Sequence, residues 1–432
     1  MQSSVGSGDI VPCMIPQLDL FRKRHVQACI TGRIVEKLKP ISALVEYPES
    51  LEFYSPGRPL HYAALDKMVL RVVVRMRKKA SKANLLENDV NNSVVDCTLH
   101  SFFSSCEVLL SETPVTKYPQ HYGYASVFDI YSTAGYDSLD GPLQTVPVIP
   151  DENKEKPEEG AFWKQREAPY LQSKKVELMG LVRADICKLK DGAYILDNVP
   201  IRVRFTLQPQ EFVLWSAAAQ PDVELVIDEV DLSIPYYLGN AELGLGLDMA
   251  LSQQPANYHF KSSQVRTYIH PGSSTNIDIP IAINGKLPSS ILFTMVKTSD
   301  FNGNIKTNPF NFIHAGLQEL SIFVNGVEKK FRVNMEVKQG CSTLVHSLYQ
   351  DQELSAGGVW NVEKMHTGYF ACAVDLTIDQ SGRLPSQNLD QYGTVRLSGR
   401  LKEAVNYSLC ILLYAQYDTS MEINASREVT IF

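Results

Sequence analysis

Apolar and polar residues alternate along most of the chain with a period of two. In "KMVLRVVVRMRKK", Leu70, Val72, Val74 and Met76 fall on one face and Arg71, Arg75 and Arg77 on the other. That pattern predicts a strand with one buried and one solvated face. "VELMGLVRADI", "IRVRFTLQ", "SSILFTMVKTSDF", "YFACAVDLTI", "GTVRLSGRL" and "YSLCILLYAQYD" read as further strands. Two short stretches have helical spacing instead. Tyr124, Val127, Phe128 and Tyr131 sit at i, i+3, i+4 and i+7, a short amphipathic helix, and Leu344, Val345 and Leu348 share a helical face. The chain is therefore expected to be mostly β.

The pattern runs twice. "HSFFSSCEVLLSETPVT" (His100 to Thr116) and "HAGLQELSIFVNGVEKK" (His314 to Lys330) both rise from His into an apolar core and fall into a turn, which in the second is the hairpin signal Asn325-Gly326. Other pieces match in the same order. The offsets are 221 from Val72 to Phe293, 214 from His100 to His314, and 218 from Val127 to Val345. They are 190 from Asp185 to Asp375 and 194 from Ile201 to Val395. One match would be cheap; five in order point to a duplicated β domain. Each half has roughly eight strands and about 200 residues, more than an immunoglobulin sandwich of about 100 residues needs, and no blade-length repeat suggests a propeller. Two tandem eight-stranded jelly-roll sandwiches, all-β with short helices in connecting loops, fit best. The expected division is an N-terminal arm over 1–50, a first jelly roll over 51–220 and a second over 221–432. Residues 149–169, "IPDENKEKPEEGAFWKQREAP", are charged and read as a long exposed loop.

With 432 residues, 44% of them hydrophobic and 21% charged, the chain can bury sizeable cores. A formal net charge of -7 argues against wholesale coating of nucleic acid. Two local basic runs remain: Arg71–Lys82, read as a solvated strand face, and Arg22–Arg33 on the arm, the better candidate for a polyanion. The eight cysteines form no Cys-x-x-Cys pair, and most lie in apolar runs, as buried thiols in a reducing compartment do. No signal peptide and no membrane-length apolar run is evident, so a soluble protein made and kept inside a cell is expected, without membrane insertion.

No chemistry-bearing motif stands out. The nine histidines include no His-x-His and no His-Glu-x-x-His pair. His100 and His314 could be a repeated ligand, but the plainer reading is that each satisfies a backbone group at a strand entrance. Asp185 and Asp375 occupy equivalent places in two halves, so they should lie apart rather than form a glycosidase-type pair; structural turn carboxylates are expected. "GLGLD" (Gly244–Asp248) lacks the third glycine and the βαβ setting of a phosphate loop, and Ser289 and Ser290 lie in no nucleophile elbow. No catalytic, cofactor-binding or metal-binding residue is assigned and no cofactor is expected. Surface and assembly are then the function.

Several blocks resemble one family. "LDLF", "LRVVVRMRKK", "VNNSVVDCTLHSFFSSCEVLLSETPVT", "TYIHPGSSTNIDI", "YFACAVDLTIDQS" and "GTVRLSGRLKEAVNYSLCILLYAQYDTSMEI" span most of residues 17–425. With "LPSSILFTMVKTSDFNGNIKTNPFNFIHAGLQELSIFVNGVE", they resemble the double jelly-roll major capsid proteins (hexons) of adintoviruses and Polinton/Maverick elements. The resemblance implies a non-enzymatic shell subunit located in the virion and made in the host cytoplasm. It implies a homotrimer whose six jelly rolls form a pseudo-hexagonal capsomer of an icosahedral shell. Its partners would be neighbouring capsomers and a penton or minor capsid protein, with a weak contact of the basic N-terminal arm with DNA or inner-shell components. The arm after "LDLF" and the 149–169 loop depart from the family pattern. Three rival readings stay open. A two-domain glycan-binding module would want exposed aromatic clusters such as "IPYYLGN". An amidase-like enzyme would want acidic residues converging between the halves. A host-domesticated capsid protein would differ in nothing the residues show.

Overall fold

In a computed structural model the described residues are 27–432, apart from 88, 136–137, 139–140, 150, 152–153, 155–160, 350–358 and 383–386. Sixteen principal strands carry the fold. The first eight are β1 (Ile30–Leu38), β2 (Ser50–Ser55), β3 (Val69–Arg77), β4 (Phe103–Leu110), β5 (Thr113–Pro114), β6 (Val176–Leu181), β7 (Ile201–Leu207) and β8 (Glu224–Gly239). The second eight are β9 (Ala256–His270), β10 (Asn276–Lys286), β11 (Ser290–Lys297), β12 (Leu317–Val324), β13 (Val327–Arg332), β14 (Cys372–Asp375), β15 (Tyr392–Leu401) and β16 (Leu409–Ile423).

In the first set the sheets run β1-β8-β3-β6 and β2-β7-β4-β5, and in the second β9-β16-β11-β14 and β10-β15-β12-β13. Adding eight to every strand of the first set reproduces the second. Each set is a jelly roll, two four-stranded antiparallel sheets with the first strand beside the last. Short extra strands, His61–Ala63 on β8 and Val429–Ile431 on β16, widen two of the sheets.

The matched pieces occupy equivalent places. Val72 lies on β3 and Phe293 on β11, Ile201 on β7 and Val395 on β15. His100 and His314 precede β4 and β12. Val127 lies in α1 (Tyr122–Thr133) and Val345 in α4 (Ser342–Leu348), each in the connection after the corresponding hairpin. Both hairpins are two-residue turns with left-handed central residues, Ser111 (φ 48°) and Glu112 (φ 63°), then Asn325 (φ 49°) and Gly326 (φ 83°). Positive φ at both centres matches the twist of the flanking strands.

Three expectations need correction. β8 pairs with β3 through Val230↔Val72 and Leu232↔Leu70, so the first sandwich closes at Gly239 rather than near 220. The turn-rich "SAAAQPD" is a connection inside it, and the helix α3 (Ala241–Leu251) joins the two sandwiches. The arm is shorter than 1–50, because Ile30–Leu38 is the edge strand β1, paired along β8. Residues 1–26 lie outside the described residues. The charged segment 149–169 is not simply an exposed loop: Asp151, Lys154, Trp163 and Arg166 are all buried, the last three around or within α2 (Ala161–Glu167) and its approach. Arg166 pairs with Asp151 and Lys154 donates to the Phe310 carbonyl, which is what permits their burial.

Alternation places the cores. Leu70, Val72, Val74 and Met76 of β3 and Ile201, Val203 and Phe205 of β7 are buried. Strands β11 and β16 differ: Ser290 to Val296 and Leu409 to Ala415 are buried without a break. Strands covered on both faces read as continuous apolar runs, and here the outer cover is the first sandwich.

Candidate functional site

Among the described residues, aromatic and charged side chains converge between the two sandwiches. Helix α1 is buried almost all round, not amphipathic at a surface. Its Tyr124, Phe128 and Tyr131 enter the second half. Tyr124 donates its hydroxyl hydrogen to the Pro309 carbonyl at 3.0 Å. Its ring stacks on Phe301 with centroids 5.5 Å apart and meets Phe310 edge-on at 5.2 Å. Phe128 packs on Phe312 and Tyr414, Tyr131 on Trp360 and Tyr369. The receiving residues come largely from "DFNGNIKTNPFNF". Gly303 there has φ 91°, and a side chain would approach the Phe212 backbone at 3.2 Å, so the close approach of the halves requires glycine.

Polar groups flank the aromatics. Asp96 accepts from the backbone N–H of Cys97 (3.0 Å) and Ile149 (2.7 Å) and from the Tyr131 hydroxyl. Lys154 donates to the Phe310 carbonyl at 2.6 Å and sits 3.7 Å above the Tyr369 ring. Burial pushes its ammonium pKa down to about 7. Lys364 donates to the Asp151 carbonyl, and Arg166 pairs with the Asp151 carboxylate at 2.5 Å. Asp185 takes two hydrogen bonds from Ser263 of β9, from its N–H at 3.0 Å and its hydroxyl at 2.5 Å. Burial raises the Asp185 carboxyl pKa.

The C-terminal hairpin adds a clamp. Arg427 donates to Asp197 at 2.8 Å and to Asp248 of α3 at 3.0 Å, and its carbonyl accepts from Ser111 at 2.7 Å. The Arg427 and Asp197 side chains are 15% and 11% exposed. Arg427→Ala is expected to cost about 1.5–3 kcal/mol, the range for hydrogen bonds to charged groups, read as a fall in urea midpoint with unchanged slope.

Asp185 and Asp375 are not brought together. Asp185 serves the junction, whereas Asp375 organises a loop, accepting from Thr377 N–H at 2.8 Å, the Thr377 hydroxyl at 2.6 Å and Gly382 N–H at 2.8 Å. His100 is buried with Nδ1 3.0 Å from the Tyr122 hydroxyl, a side-chain partner rather than a backbone one. His314 Nδ1 accepts from the Gly316 N–H at 3.1 Å. "GLGLD" is helical within α3 and its Asp248 holds Arg427. Ser290 bonds Gln416 at the start of β11.

A cavity of about 250 Å³ opens at the junction, lined by Asp129, Lys188, His259, Lys261 and Asp418 among others. Its acids are engaged: Asp129 holds Arg183 and Lys188, and Asp418 holds Lys261 at 3.2 Å. Burial raises the Asp129 carboxyl, but those two cations hold it below its ordinary range. The aromatics of "IPYYLGN" are engaged too, Tyr236 buried and Tyr237 stacked on Tyr194 at 4.6 Å. The basic strand face is neutralised. Arg71 pairs with Glu177, Glu229 and Asp231, Arg75 with Asp228, and Arg77 with Glu46 and Glu224. Among the described residues no group of three or more His, Cys, Asp or Glu is placed to hold a metal ion, no helix is long and apolar enough to cross a membrane, and six cysteines are buried and free while Cys29 is exposed.

No family model and no curated protein matches the chain. Solved structures do. The Sputnik virophage structure aligns with a TM-score of 0.64 at 9% identity, covering 98% of this chain and 93% of its own. PBCV-1 VP54, fitted into a Sputnik virophage reconstruction, aligns at 0.60 with 12% identity over 95% and 98%. The mavirus major capsid protein aligns at 0.52 with 12% identity over 98% and 95%. At such identities the likeness is one of fold: across both sandwiches the described chain has the double jelly roll seen in these viral capsid structures.

Proposed function

We propose that the protein is a major capsid protein: three copies close into a pseudo-hexagonal capsomer, and capsomers tile an icosahedral shell. The observation that carries this reading is a strand-for-strand duplicated jelly roll, bolted at its junction, with little of the described chain left over for another task. Two like sandwiches present two like flanks, and a threefold axis turns three such pairs into a ring of six. Closed cyclic symmetry leaves no unmatched face within that ring. Interfaces of obligate assemblies run to about 2,000 Å² or more. The Polinton/Maverick and adintovirus type is the finer form of the reading and rests on the sequence blocks quoted above. So do contacts with a penton or minor capsid protein and of the basic residues Arg22–Arg33 with DNA or inner-shell components.

Light scattering on the purified chain tests it. One chain is 48.3 kDa, so a trimer weighs about 145 kDa. Electron microscopy should then show hexagonal capsomers. A monomer persisting at micromolar concentration would overturn the reading.

A further inference from the structure

The helix joining the sandwiches turns an apolar face outward. In α3, Leu245 is 67% exposed and Met249 71%, one turn apart on the same face. Gly246 beside them is open, a side chain there meeting nothing within 4 Å. Scattered single apolar residues on a surface are ordinary, but a contiguous helical face asks for a cover.

The described chain begins at the same corner. Asn240, the N-cap of α3, accepts from Leu243 N–H at 2.8 Å. It also donates its side-chain amide to the Ala28 carbonyl at 3.3 Å and its backbone N–H to the Cys29 carbonyl at 2.9 Å. Twenty-six residues precede Gln27, and the nearest of them read "QLDLFRKRHV", with Leu18, Leu20 and Phe21 followed by Arg22, Lys23 and Arg24. At a rise of about 1.5 Å per residue, Leu245 and Met249 lie about 8 and 14 Å along the helix from Asn240. An extended chain of about 3.3 Å per residue carries Phe21 about 20 Å from Gln27. The face is thus within reach of its own arm. Glu242, exposed in the first turn of α3, is complementary to the Arg22–Arg24 run.

We propose that residues Leu18–Phe21 dock on the Leu245/Met249 face of α3 in the same chain, with Arg22–Arg24 passing Glu242. The short tether favours the chain's own arm over a neighbour's, because it supplies an effective concentration in the millimolar range. The arm thereby covers the link between the sandwiches.

Hydrogen exchange on the full chain tests this without reference to assembly. Amides of residues 241–251 should exchange about tenfold faster in Leu20→Asp/Phe21→Asp than in the unaltered chain, and Leu245→Asp/Met249→Asp should reproduce the effect. Unchanged exchange in β3 and β11 verifies that the variants are folded. Protection of α3 that survives the arm substitutions would overturn the proposal. So would protection in the unaltered chain that is lost on dilution, which would assign the face to a second copy. Arm-dependent protection in a chain that stays monomeric would sustain this inference while removing the capsomer reading.

Discussion

Arg166→Met is expected to lower the stability of the chain by about 3–5 kcal/mol, the cost of stranding one partner of a buried ion pair. The Arg166 and Asp151 side chains are 0% and 3% exposed. Arg166 also donates to the Ile149 carbonyl and lies 5.6 Å from the centroid of the Trp215 ring. Without it, the Asp151 carboxylate loses its direct partner and keeps the more distant charge of Lys154, with Lys364 held on the Asp151 backbone carbonyl. Burial already raises that carboxyl above its ordinary range, so it has little attraction to spare. The double variant Arg166→Met/Asp151→Leu should recover much of the loss, because both charges then leave the interior together. Urea unfolding of the three proteins reads the effect. A loss under about 1 kcal/mol for the single variant would mean that this pair faces water.

Acidification should destabilise the chain through His100, by about 3 kcal/mol between pH 7 and pH 4. Burial is the leading cause that lowers the His100 pKa from 6.5 to about 3 in the folded protein, and the nearby Arg183 adds to it. The unfolded state therefore binds a proton that the folded state refuses. The stabilisation is complete above pH 6.5 and is lost as pH falls toward 3. At pH 4 the pH lies about 2.5 units below the unfolded value of 6.5 and still above the folded one, at about 1.4 kcal/mol per unit. Carboxylates titrate in the same window, so the readout is a difference. His100→Gln, which cannot charge, should show a shallower fall in stability over pH 7 to 4 than the unaltered chain. Parallel curves would show that His100 is not the acid-sensitive group.

The contrast between the two hairpins shows how far local residues reach. Asn325-Gly326 declares its turn, because both residues tolerate positive φ. Ser111-Glu112 adopts the same left-handed pair without that composition; pairing of Leu109 and Leu110 with Pro114 and Thr113 imposes it. The repeat was still legible, since period-two alternation recurs in order and fixes which face of each strand is inward. The end of the first sandwich was not. "VELVIDEVDLSI" alternates as well for a first strand as for a last one, and only its pairing with β3 and β1 assigns it to the first sheet.

The sequence carries one signal for the junction. β3 alternates apolar residues with Arg71 and Arg75, while its counterpart β11 and the first half of β16 (Leu409–Ala415) are apolar almost without interruption. That difference marks one outer sheet face as solvated and the other as covered. It does not say by what. Helix α1 reads as amphipathic because its helical stripe is real, yet its remaining faces are buried by elements far along the chain. The charged run 149–169 reads as exposed because isolated charges favour water; Asp151 and Arg166 are inside because they pair with each other, and Lys154 because the Phe310 carbonyl and the Tyr369 ring meet it from elsewhere in the fold. Alternation, turn residues and the internal repeat are local and were written in the order of residues: an all-β chain, two jelly rolls, no spaced catalytic motif. Strand pairing across 150 residues, the bolted junction and the burial of its charges depend on contacts distant in sequence, and those took their identity only when the two sandwiches came together.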